Sequence, residues 1–283
     1  MDMGLYRKCI ADLGRFGEKV KVLRFVGMGE PLLHKNIVAM IECAVAGQVA
    51  ERVEILTNAF LLAEPLSLAL VDAGLSRLII SVQGTNSQKY REVCGVDLDF
   101  DRFIENIRFF YAHRGKTQIH IKIIDCALDG AEDEQQFYEL FGDICDSIGV
   151  ENVGPIYPWV DYGNILGEKQ KNVTQFGLAA ADLNVCPQPF FTLQINPDGK
   201  VVPCYSIDYP CIVGDCSKES LYDIWHGMAL QGFRCGMLDG IRHASAACAS
   251  CLIIKHRVFP EDVLDNDVAR LRRIYGCEER ERA

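Results

Sequence analysis

The chain has 283 residues, 49% of them apolar, with Lys+Arg 29 against Asp+Glu 39 and a formal net charge of −10. That length is one large domain or two smaller ones, the apolar content excludes a disordered chain, and the acidic balance excludes a general nucleic-acid binder. The most apolar stretches, residues 37–47 and 244–254, are about half the ~20 residues of a membrane helix, and Met1–Lys8 has no apolar signal core; a cytoplasmic protein without membrane or nucleic-acid partners is expected.

In chain order, a helix is predicted over 2–14, then a strand over 20–26 (VKVLRFV) and a helix over 36–46. A strand at 53–56, a helix at 64–72 and a strand at 78–82 follow. The next helix, 101–113, carries Phe103, Ile107 and Phe110 on one face. A strand at 119–124, a helix at 132–147 and a strand at 152–157 complete the series. Short β-branched runs alternating with helices predict right-handed βαβ units and a parallel sheet.

Polar and glycine residues gather where these strands end: Gly27-Met28-Gly29-Glu30-Pro31, Thr57-Asn58, Ser81 with Gln83-Gly84, and Lys122 with Asp125. Four successive strands ending this way predict a ligand face, because parallel α/β folds bind at the carboxyl ends of their strands. Glycines beside Glu30 let a ligand approach the backbone, and its carboxylate can hold an ammonium. No Gly-Lys-Ser/Thr follows, so this is not a phosphate loop. Residues 158–183 lack a clear period. From Asp182 onward Cys, Pro and Gly rise, and a second domain is placed at 183–260 after a first over 1–170. The remainder, 261–283, is a charged tail, with Arg270, Arg272, Arg273, Glu278, Glu279, Arg280, Glu281 and Arg282 expected on a solvated or frayed helix.

Eight of the 13 cysteines lie between 186 and 277. An odd count in a large chain without an export signal predicts metal ligation and not bridges. Cys9, Cys43, Cys94, Cys126 and Cys145 sit in apolar or helical stretches and read as ordinary buried thiols. In Cys186-x12-Gly199-x4-Cys204, the turn Asn196-Pro197-Asp198-Gly199 separates two apolar runs. The hairpin it predicts carries Cys186 and Cys204 toward the same end. Cys248-x2-Cys251 is a chelating pair. Four such thiolates suit zinc or an iron–sulfur cluster. Cys211, Cys216 and Cys235 are left as further ligands, a catalytic thiol or core, with Cys235 read as core.

Together these features resemble radical S-adenosylmethionine (SAM) enzymes that carry a C-terminal SPASM/twitch auxiliary-cluster domain. The resemblance covers residues 2–255. GMGEPLL at 27–33 resembles the family's G-G-E-P motif, with Met28 in place of a glycine, and Thr57-Asn58-Ala59 resembles its T-N-G. Ile80-Ser81-Val82-Gln83-Gly84 resembles the next strand-end motif, and SLYDIW at 220–225 the helix inside the cluster domain. Only Cys277 follows Cys251, so the single-cluster twitch form fits better than full SPASM.

The resemblance implies a fold and a site. The fold is α/β: a partial (β/α)6 TIM-like barrel lacking its first strand, then a small cysteine-rich SPASM/twitch domain. Gly29, Glu30 and Pro31 would meet the methionine ammonium of SAM, and Asn58 and Ser81 its carboxylate or ribose. Lys122 is a second candidate for the carboxylate, and the strand at 152–157 would line the adenine. Cys186, Cys204, Cys248 and Cys251 would hold an auxiliary 4Fe-4S cluster. The implied activity is generation of a 5′-deoxyadenosyl radical that abstracts hydrogen from a small molecule or peptide, in an oxidation or maturation step. Flavodoxin or ferredoxin would supply electrons. The family's C-x3-C-x2-C loop, which holds the catalytic 4Fe-4S cluster, does not occur in this sequence. That cluster is therefore expected only in a full-length form, with Met1 or Met3 an internal methionine. The alternative is a degenerate or zinc-stapled scaffold that does not catalyse.

Overall fold

A computed structural model describes residues 1–157, 159–166, 172–206 and 208–277. Contacts divide the chain into two units, Leu13–Glu151 and a second comprising Met1–Asp12 with Asn152–Ala283.

The chain opens on α1 (Met3–Leu13) and enters the sheet with β1 (Val20–Phe25). There follow α2 (Ile37–Gly47), β2 (Ala50–Thr57), α3 (Glu64–Asp72), β3 (Arg77–Val82), α4 (Ser87–Cys94) and α5 (Phe100–His113). β4 (Gln118–Ile124), α6 (Ala131–Phe141) and β5 (Ser147–Glu151) complete the first unit. The five strands are all parallel and lie in sequence order, so each helix returns the chain to the next position in the sheet. β1 occupies one edge.

Alternation decides what each face of the sheet is made of. Leu78, Ile80, Val82, Ile119, Ile121 and Ile123 are buried on one face, as are Phe103, Ile107 and Phe110 of α5. The intervening positions on the other face include Arg77, His120 and Lys122. Asn86 caps α4 by accepting the Lys89 N–H at 2.9 Å, and Asp99 caps α5 through the Arg102 N–H at 3.2 Å.

The structure corrects the last strand. The predicted helix over 132–147 ends at Phe141, and β5 begins at Ser147, with His120 aligned to Ser147 and Ile124 to Glu151. Residues 152–157, predicted as the strand, form no strand. Gly154-Pro155 explains this: proline has no N–H to donate to a ladder. α4 was not anticipated; its sequence SQKYREVC is too polar to carry a clear apolar stripe.

In the second unit, α7 (Tyr162–Leu166) and α8 (Gln188–Phe191) precede a small sheet. Its strands are β6 (Gln194–Ile195), β7 (Lys200–Val202) and β8 (Gly214–Asp215). β6 and β7 pair antiparallel around the anticipated turn, where Gly199 has φ 87° and donates to Asn196 O at 2.9 Å. β8 was not foreseen, since two residues carry no periodicity.

Short helices follow: α9 (Leu221–His226), α10 (Met228–Leu238), α11 (Ile241–Ala244), α12 (Ala246–Ala249), α13 (Ile253–Arg257) and α14 (Val268–Ile274). Ser220 caps α9 by accepting the Asp223 N–H. A core forms around Val185, Met237, Leu238 and Cys277, with Val268, Leu271 and Tyr275 packed against it. The tail helix therefore has an apolar face and is not merely solvated; residues 278–283, part of that expectation, lie outside the described residues. Cys235 does lie against this core, but bridged to Cys277, which corrects the expectation of no disulfides. The buried-thiol reading holds for Cys9 and Cys145, while Cys43 is half-buried and Cys94 and Cys126 are exposed.

Candidate functional site

The loop after β1 is organised by Glu30. Its Oε1 accepts the Thr57 hydroxyl at 2.6 Å and the Leu32 N–H at 3.0 Å, and its Oε2 accepts the Asn58 N–H at 2.9 Å. A carboxylate offers about four acceptor positions, so one remains on Oε2 for an incoming ammonium. Pro31 starts a single helical turn that presents Leu32 to the carboxylate. Gly27, Met28 and Gly29 are exposed beside it. Asn58 is exposed too, and its Oδ1 accepts the Phe60 N–H at 2.9 Å. Ala59 stands where the resembled motif has glycine and takes φ 57°. Thr57, expected at a strand end and in the T-N-G-like motif without a role of its own, locks Glu30 in place through its hydroxyl.

Ser81 and Lys122 are neighbours in register between β3 and β4. The Lys122 ammonium donates to Glu151 Oε2 at 2.6 Å, a partner the sequence reading did not name. The structure thus gathers Glu30 with Asn58, and Ser81 with Lys122, each pair on adjacent strand ends.

In the second unit, the charges of Cys186, Cys204, Cys248 and Cys251 interact in every pairwise combination. Burial pushes the Cys186, Cys204 and Cys248 thiols up, so each favours its neutral form until a cation offsets the charge. None of the four is bridged. Among the described residues, no group of three or more His, Cys, Asp or Glu is spaced to hold a single metal ion, so the four sulfurs do not converge on one ion-sized point. A donor set of four mutually neighbouring thiols fits a thiolate-held cluster. Cys211 is a fifth thiol in this neighbourhood: burial and the charges of Cys248 and Cys204 push it up to about 11.

Known proteins bear on both units. Residues 8–139 match the family model described as the Radical SAM superfamily, and residues 186–252 match SPASM, described as an iron–sulfur cluster-binding domain. Curated proteins give no match. Among solved structures, BtrN in complex with AdoMet and 2-DOIA is 19% identical, with 89% of this chain and 80% of BtrN covered at a TM-score of 0.53. Streptococcus suis SuiB bound to its precursor peptide SuiA is 15% identical, with 89% of this chain and 63% of SuiB covered at 0.58. Native anSMEcpe with bound AdoMet is 12% identical, with 98% and 90% covered at 0.61. At such identities the likeness establishes the fold. Among the described residues, no helix is long and apolar enough to cross a membrane.

Proposed function

The chain belongs to the radical SAM superfamily and carries a C-terminal SPASM domain, and from that premise we propose that it binds SAM at the ends of β1 to β4 and one auxiliary 4Fe-4S cluster through Cys186, Cys204, Cys248 and Cys251. Family membership implies an enzyme, and the two domains imply 4Fe-4S and SAM as its cofactors. With a catalytic 4Fe-4S cluster also bound, SAM would supply one-electron cleavage of its sulfonium, giving methionine and a 5′-deoxyadenosyl radical able to remove hydrogen from a substrate.

The residues of this chain do the binding and orienting. Glu30, fixed by Thr57, Leu32 and Asn58, holds the methionine ammonium with its remaining acceptor position. Gly29 and Pro31 bring backbone close to it. Asn58 and Ser81 bond the carboxylate or ribose. Lys122 is partly neutralised by Glu151 and contributes a shared hydrogen bond to the carboxylate. The sequence contains no C-x3-C-x2-C, so the three thiolates that the catalytic cluster requires are not supplied by these 283 residues. We assign the cluster-binding domain to 183–260 and the SAM-binding domain to the region up to 170.

BtrN is solved with 2-DOIA and SuiB with a peptide; a small molecule or peptide is the substrate class we carry over, in an oxidation or maturation step, with flavodoxin or ferredoxin as reductant.

The observation that carries this reading is the mutual neighbourhood of four unbridged thiols inside the matched iron–sulfur domain. Anaerobic reconstitution should yield about four irons and four sulfides per chain, reduced in Cys186→Ala and in Cys248→Ala/Cys251→Ala. Stoichiometric zinc without iron would replace this reading with the zinc-stapled scaffold.

A further inference from the structure

One face of the five-stranded sheet carries charge along its whole length. Arg24, Arg52 and Glu54, Arg77 and Ser81, His120 and Lys122, and Ser147 and Glu151 fall on alternate positions of β1 to β5. The register sets Arg24 beside Glu54, Glu54 beside Arg77, His120 beside Ser147 and Ser81 beside Lys122. Four permanent cations, Arg24, Arg52, Arg77 and Lys122, share this face with two carboxylates, Glu54 and Glu151. The chain as a whole has a net charge of −10, so positive charge is concentrated here.

The two carboxylates are already engaged. Glu54, fully buried, accepts Arg24 at 2.9 and 2.6 Å and lies 3.3 Å from the Arg52 Nε. Glu151 takes Lys122. Arg77 forms no ion pair among the described residues; its Nη2 meets only the Ser147 hydroxyl, at 3.5 Å. His120 Nδ1 lies 2.9 Å from the same hydroxyl. Half-buried Arg77 and His120 thus meet at the exposed Ser147 hydroxyl, and the planar guanidinium of Arg77 matches a carboxylate or phosphate in two parallel hydrogen bonds.

We propose that Arg77, Ser147 and His120 form a subsite for an anionic group, carboxylate or phosphate, of the substrate. The proposal deepens the function proposed above and rests on it. It also sets a length: Arg77 opens β3 and Ser81 lies four residues on, about 13 Å along the strand at ~3.3 Å per residue. A substrate anchored by Arg77 therefore carries its anion about that far from the end that reacts.

The test titrates the full chain with sodium phosphate and, separately, with succinate, at constant ionic strength, following the His120 ring by NMR. Saturable shifts of His120 with either probe are expected. Arg77→Gln should weaken the apparent affinity about tenfold or more, as loss of charge-assisted hydrogen bonds does, and Arg77→Lys by less, since charge remains but the fork is lost. Saturation by phosphate alone or by succinate alone names the group. No shift with either probe, shifts that sodium chloride reproduces, or unchanged affinity in Arg77→Gln would overturn the subsite; if that variant does not fold, the same comparison is made with Arg77→Lys. SAM binding is measured on the same samples. Arg77→Gln should retain it, and its loss in that variant alone overturns a substrate-specific role. Absence of SAM binding in the parent chain instead counts against the proposed function.

Discussion

Asp12, near the end of α1, accepts the backbone N–H of Leu221 at 3.0 Å and the Lys8 ammonium at 2.8 Å. Lys8 also donates to Glu219 O at 2.6 Å. A carboxylate from the first helix thus ties down the start of α9. Asp12→Ala leaves the buried Leu221 N–H unpaired and should destabilise by about 1–3 kcal/mol. Asp12→Asn, which still offers a carbonyl oxygen, should recover part of this in chemical denaturation. Equal stability of Asp12→Ala and the parent chain would contradict the assignment.

The Cys235–Cys277 bridge closes a sequence separation of 42 residues and staples α14 to α10. Its loss in Cys235→Ser should lower stability by about 2–4 kcal/mol. Intact mass before and after reduction should differ by two hydrogens. An unchanged mass in protein handled without reductant would show that the pair is not bridged.

Glu30→Gln replaces an acceptor with an amide nitrogen that can only donate. One of the three donors from Thr57, Leu32 and Asn58 then faces that nitrogen, at a cost of about 1–3 kcal/mol. The variant should therefore melt lower as well as bind SAM more weakly. Thr57→Val, which removes the donor to Glu30 and the acceptor of the Ala59 N–H but no charge, should lose stability while keeping most of the SAM affinity. Were Glu30→Gln to melt lower yet bind SAM as the parent does, the carboxylate would be structural only.

His120 is held below the usual histidine range, first by burial and then by the nearby Arg77 and Lys122 charges, against which Glu151 acts. Its folded-state affinity for a proton is thus below that of the unfolded chain. The unfolded state binds the proton first as pH falls through the ordinary histidine range, so this group subtracts stability on acidification and contributes none of that penalty above it. In an NMR titration, Arg77→Gln should move the His120 midpoint upward. A downward or absent movement would mean that Arg77 does not face the ring.

Gln48, exposed at the end of α2, takes φ 50°, a left-handed conformation that disfavours a side chain. Gln48→Gly should stabilise the chain by about 1 kcal/mol, read as a higher Tm. Ala59, also left-handed but buried, should gain less from the same change, because its methyl group packs.

The residues of both candidate sites were marked in part by the linear order of the chain. Glu30 and Asn58 stood out because they follow apolar strand runs, and Ser81 and Lys122 because they are polar residues near the carboxyl ends of such runs. Their locks did not: Thr57 and Glu151 are ordinary residue types whose roles depend on which strand lies alongside. The four cysteines were marked by the hairpin turn and the two-residue chelating gap. Cys211 carries no spacing signal, and only folding brings it near Cys204 and Cys248.

What the sequence determined by itself is local. Period-two runs of Val, Ile and Leu alternating with helical stripes dictate parallel βαβ units, because each pattern buries its apolar side in only one backbone geometry. Asn196-Pro197-Asp198-Gly199 dictates a hairpin, since its residue types suit the turn's backbone. Tertiary structure decided what depends on the path of the chain between distant residues. It joined Asp12 to Leu221 and Cys235 to Cys277, and started β5 at Ser147, where pairing with His120 on β4 outweighed the apolar run that begins after Glu151. It also aligned Arg77, His120 and Ser147 on one face: each is unremarkable on its own strand, and a register shift of one residue would turn a strand's entire set to the opposite side.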